Sequence, residues 1–102
     1  MVDIAEAQKK LLHLGVNTRA ASHRAVHPVL EAYLNTLSGD WYRFGAQNYI
    51  VWTDKGPLEI SREIIALPKF ADFYIFATPF SFASCNGMMP KEFWEWITKL
   101  SR

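Results

Sequence analysis

Trp41-Tyr42-Arg43-Phe44-Gly45-Ala46-Gln47-Asn48-Tyr49-Ile50-Val51-Trp52-Thr53 is the stretch that sets the class of the fold. Aromatic and β-branched residues dominate it on both sides of Gly45, the composition of a strand pair or of one long bent strand. Downstream, Asp54-Lys55-Gly56-Pro57 is a turn with proline placed for a helix start. Leu58, Ile60, Ile64, Ile65 and Leu67 then follow until Pro68 ends the element. Asp72 to Phe80 is an apolar run of strand length, expected to be buried. Asn86-Gly87 marks a turn, and Pro90 opens a last helix with Phe93, Trp94, Ile97 and Leu100 on one face.

Upstream, Asp3 to Leu14 has early acids, the later Lys9, Lys10 and His13, and Gly15 as a stop signal, which together predict a helix. Its apolar stripe is Ile4, Ala7, Leu11 and Leu12. Asn17 or Thr18 is placed to cap a short helical turn to Val26, and Pro28 predicts a kink or break at His27. Val29, Leu30, Tyr33, Leu34 and Leu37 form the stripe of a helix from Pro28 to Ser38-Gly39. The expectation is thus one α+β domain spanning 1–102, with about forty helical N-terminal residues, then a small sheet with β-α-β and a C-terminal helix.

Composition narrows the functional classes. Half the residues are hydrophobic and 21% are charged, the balance of a chain with a core. Net charge is +1, so no broad basic surface for nucleic acid or anionic lipid stands out. No apolar run approaches the ~20 residues of a membrane helix, so no membrane partner is expected. The opening Met1-Val2-Asp3-Ile4-Ala5-Glu6 lacks the basic start and apolar stretch of a secretory leader, which predicts a cytoplasmic location. A single cysteine, Cys85, rules out an internal disulfide. Aromatic residues make up 15% of the chain, more than a domain of this size readily shelters, which points to a homo-oligomer, most simply a homodimer.

Residues 28–98 resemble the small ferredoxin-like family of the CRISPR adaptation endoribonuclease and the virulence-associated protein D-like proteins. The likeness rests on Arg43 to Thr53 as a middle strand, the helix from Pro57, the strand Asp72 to Thr78, and the ending Gly87-Met88-Met89-Pro90-Lys91-Glu92-Phe93-Trp94-Glu95-Trp96. It implies a degenerate ferredoxin-like fold with a dimerising edge. In that family the first strand ends on an aspartate thought to hold a metal, whereas this chain is expected to begin with a helix, so the nuclease chemistry is not carried over. The short chain also resembles products of mobile gene cassettes.

Candidate sites follow from side-chain chemistry. His23 and His27, four apart, share a helical face, but no third ligand completes a set, so no metal and no cofactor is expected. Cys85 lies in a turn-like loop and is weighed as a thiol nucleophile against an inert, partly buried thiol. Trp41, Tyr42, Arg43 and Phe44 interleave rings with a cation, and Lys55, Lys69 and Lys91 add charge, which makes them the candidates for stacking on single-stranded nucleic acid. Glu59, Glu63, Glu92 and Glu95 are the carboxylates at helical spacing and read as solvated faces, with no catalytic residue assigned. Trp94 and Trp96 lie about 200° apart around a helix, so one must meet another element, a partner or solvent. The leading expectation is a non-enzymatic interaction module with Trp41, Trp52, Phe80, Trp94 and Trp96 as ligand or interface candidates. The alternatives are a nucleic-acid-associated protein or degenerate nuclease relative, and a small-molecule binder with an aromatic pocket that includes Phe82 and Phe93.

Overall fold

The structure is a computed structural model that describes residues 9–17, 23–37, 39–68, 70 and 73–100, with the side chains of His23 and Arg24 left aside. The elements run β1 (Lys10–Asn17), α1 (His23–Leu34), β2 (Trp41–Phe44), β3 (Asn48–Thr53), α2 (Pro57–Ile65), β4 (Tyr74–Phe80) and α3 (Lys91–Leu100), with a short 3-10 turn at Phe82–Ser84. The four strands form one sheet in the order β2-β3-β1-β4, antiparallel at every pairing. Each helical crossover therefore spans an inserted strand: β3 lies between β1 and β2, and β1 lies between β3 and β4.

The first described element overturns the expectation of a helical N-terminal forty residues. Lys10–Asn17 is a strand, and it is central in the sheet. The deciding pattern is alternation: Leu12, Leu14 and Val16 are buried on one face and Leu11 on the other. The helical reading rested partly on Ile4 and Ala7, which lie outside the described residues, as does the proposed turn of helix at Asn17 or Thr18 over its residues 18–22. Gly15 sits inside the strand, opposite Phe76 on β4 and Asn48 on β3.

The expected break at Pro28 is also absent. Helix α1 runs through it from His23 to Leu34. A proline inside a helix forfeits one backbone hydrogen bond at a cost of about 3 kcal/mol. Val26, Leu30 and Leu34, one turn apart and all buried, offset this, at ~1.5–3 kcal/mol for each fully buried side chain.

Between α1 and β2 the chain passes so close to β3 that a Cβ on Gly39 would lie 1.5 Å from the carbonyl oxygen of Trp52. Only glycine fits that crossing. Gly45, with φ of 68°, takes the left-handed conformation that reverses the chain between β2 and β3, so the deciding stretch is a strand pair.

Helices α1 and α2 cover one face of the sheet. Val26, Leu30, Leu34, Ile60 and Ile64 pack there on Leu12, Leu14, Val16, Tyr49 and Val51, and Phe70 and Phe73 close the cluster before β4. Tyr33 on α1 donates a hydrogen bond to Glu63 on α2 at 2.7 Å, joining the two helices. On the opposite face, among the described residues, α3 is the one α-helix, and its Phe93 and Ile97 are buried against Leu11 and Ile50. Strand β4 is therefore not the buried strand expected of Asp72 to Phe80: it is a sheet edge, with Tyr74 64% and Phe76 66% exposed. Its run is apolar because its inner face, Ile75 and Ala77, joins the two-helix core while its outer face carries rings.

Candidate functional site: the half-covered face of the sheet

Strand alternation sorts the candidate residues between the two faces. In Trp41-Tyr42-Arg43-Phe44, Trp41 packs with the two-helix core, and Tyr42 and Phe44 pack with the α3 cluster. Arg43 lies on the first side, 3.1 Å from the Glu31 carboxylate and bonded to Nδ1 of His27. The stretch thus forms two surfaces rather than one platform. Lys55 pairs with Glu59 at 3.4 Å and with Glu63 at 2.9 Å, Lys91 lies 3.7 Å from Glu95, and Lys69 is outside the described residues.

His27 donates from Nε2 to the carbonyl of Ala46 at 2.9 Å, which leaves Nδ1 as the acceptor toward Arg43. The ring is therefore used to tie α1 to the β2–β3 turn. The side chain of its proposed partner His23 lies outside the described residues. Among the described residues no three His, Cys, Asp or Glu side chains are grouped to hold a metal.

Glu63 accepts from both Lys55 and Tyr33, and these bonds, Lys55 first, hold its carboxyl below the usual range. The same bond raises the Lys55 ammonium. Burial, and then the bond to Glu63, push the Tyr33 phenol well above its ordinary range. Burial also pushes Tyr49 up to about 12, helped by the Glu31 carboxylate. These groups link α1, α2 and the sheet. Glu92 and Glu95 are exposed on α3.

The five ring candidates for contact are all half-buried within the chain. Trp41 tilts against Tyr49 at 5.9 Å and donates from its indole to Asn35 at 2.9 Å. Trp52 and Phe80 pack in the α3 cluster. Trp96 lies 5.6 Å from Tyr42 and donates to Asp40 Oδ2 at 2.9 Å, and the other oxygen of Asp40 accepts from the backbone N–H of Trp41. Trp94 meets Phe93 edge-on at 5.1 Å. The two tryptophans of α3 thus diverge as the helical spacing requires, and each meets another ring.

Helix α3 covers part of its face, around Leu11, Ile50, Trp52 and Tyr42. Beside it lies a groove with a cavity volume of about 360 Å³. Its floor is His13, Phe44, Ile50, Thr78 and Phe80, its wall is Phe93 and Trp94, and its lip is the loop from Cys85 to Met89. Cys85 is half-buried there, its thiol donating to the carbonyl of Phe82 at 3.2 Å. His13 stacks on Phe44 at 6.1 Å and donates from Nε2 to Asn48 Oδ1 at 3.0 Å. Met88 on the lip is 99% exposed. Beyond the groove the same face continues through Gly15 and Asn48 to Tyr74 and Phe76.

Sequence reading missed His13, Thr78, Tyr74 and Phe76 as surface residues. The available signal was the alternation of Tyr74, Phe76, Thr78 and Phe80, which a fully buried reading of β4 obscured. Phe82, expected near a pocket, is exposed beside the groove. No protein-family model matches the sequence, and comparison with curated proteins and with solved structures gives no match to either.

Proposed function

We propose that this chain is a small non-enzymatic interaction module that acts as a homodimer, with the outer edge of β4 as its self-contact. The observation that carries this reading is the contrast between the two edges of the sheet. Edge strands are normally short, charged or kinked, because open backbone groups recruit other strands. Strand β2 has four residues and carries Arg43, whereas β4 has seven, no charged residue, and proline only at its penultimate position. Tyr74 and Phe76 stand exposed beside that edge. Antiparallel pairing of β4 with its own copy is self-complementary, as a two-fold interface requires.

The β-α-β-β-α-β order, with its 2-3-1-4 sheet, accords with a ferredoxin-like fold, the fold that the family likeness implies. The first strand that the likeness requires is present as β1. It ends on Asn17, a neutral amide, where the likeness implies an aspartate. A binding role without nuclease chemistry accords with that substitution.

Light scattering on the purified chain tests the proposal. Twice the chain mass at micromolar concentration is expected, with Phe76→Lys shifting the protein to monomer while its circular dichroism stays unchanged. A wild-type protein that stays monomeric up to the highest soluble concentration overturns it.

A further inference from the structure

The groove beside α3 combines apolar walls with a polar handle, and Thr78, Cys85 and Asn86 also line it. Its floor and wall are the rings of Phe44, Phe80, Phe93 and Trp94, and its lip ends in Met88 and Met89. Methionine adapts its shape and its sulfur favours aromatic rings, so this lip suits a flat aromatic guest. The volume, about 360 Å³, lies within the range of small-molecule sites.

The handle is His13. Asn48 Oδ1 can only accept, so Nε2 carries the proton of their hydrogen bond. In the singly protonated ring Nδ1 is then an acceptor, and no hydrogen bond to it is found among the described residues. No buried side-chain nitrogen or oxygen among them lacks a partner, so Nδ1 is reached by solvent. His13 lines the groove. A bound guest therefore gains most by bringing a donor to that atom and rings to the surrounding side chains.

We infer that this groove is a binding site for a planar aromatic small molecule bearing one N–H or O–H donor, of the indole or phenol class, with the donor held by His13 Nδ1. The site shares strand β4 with the proposed dimer contact: the groove takes the side chains of Thr78 and Phe80, and the contact takes Tyr74, Phe76 and the backbone of the outer edge.

The test uses two probes of the same shape, indole and benzothiophene, the second lacking the N–H. Titration of the wild-type chain followed by NMR is expected to move the methyl signals of Met88 and Met89 and the indole signal of Trp94. Indole is expected to bind about five- to tenfold more tightly than benzothiophene, the effect of one added hydrogen bond. His13→Phe is expected to erase that preference, and Phe76→Lys to preserve it whatever its effect on dimerisation. The ligand pair in wild-type protein settles the point even if His13→Phe fails to fold. The inference is overturned if neither probe moves the groove signals, or if both bind equally. It is also overturned if groove signals of the monomeric Phe76→Lys protein shift with protein concentration in the absence of ligand, which would assign the groove to a second copy.

Discussion

The two faces of this sheet are built from the same alternating strands but finished differently. On one, α1 and α2 bury a continuous apolar layer and lock it with Tyr33, Glu63, Lys55 and Glu31. On the other, α3 covers one part with aromatic rings and leaves a groove and two exposed rings beside it. The difference separates two duties of apolar side chains. Where two helices lie over the strands, apolar residues are buried in the core, and where one helix lies, some stay open to solvent.

The sharpest way to break this contrast is to truncate one residue on each face. Leu34→Ala, at a fully buried position under α1, is expected to lose about 2–5 kcal/mol in a urea unfolding series. Phe76→Ala on the open face is expected to change the monomer's stability by no more than about 0.5 kcal/mol. Comparable losses at both positions would show that the open face is part of the core.

The faces are also expected to differ in alkali. The folded-state pKa of Tyr49 is raised to about 12, from an ordinary 10.0, so its contribution is intact below pH 10.0 and is lost as pH rises through about 12. Tyr33 acts in the same direction. Urea midpoints measured across that window should fall steeply for the wild type and less steeply for Tyr49→Phe. An unchanged slope would remove Tyr49 from the account.

The smallest effect concerns the clasp between the faces. Trp96→Phe keeps a ring against Tyr42 but loses the bond to Asp40, and should cost about 1 kcal/mol in thermal or urea unfolding. Trp41→Phe, which loses the bond to Asn35 on the other side, provides the matched control.

Much of the second half of the fold was legible, because its signals are local. Aromatic runs around Gly45 marked a strand pair or one bent strand, of which the pair forms, Pro57 marked the start of α2, and Phe93 with Ile97 the buried stripe of α3. Strand β1 was not legible as such, since Leu11 and Leu12 satisfy helical and alternating patterns alike and only their pairing with β3 and β4 decides between them. Pro28 misled because the rule against proline in helices concerns the backbone, while the outcome here also depends on the burial of Val26, Leu30 and Leu34. The groove was legible only as rings near the last helix. His13 belongs to it through the sheet, which brings Phe44 and Thr78 to its side from far along the chain.

The central position of β1 has a consequence for synthesis. This strand leaves the ribosome before either of its hydrogen-bonding partners, residues 48–53 and then 74–80. Such distant pairings fold slowly, because the intervening loops must close before any contact rewards them. Until β4 arrives, the strand that ends up central in the sheet has one side open, and that interval is when it is most exposed to aggregation.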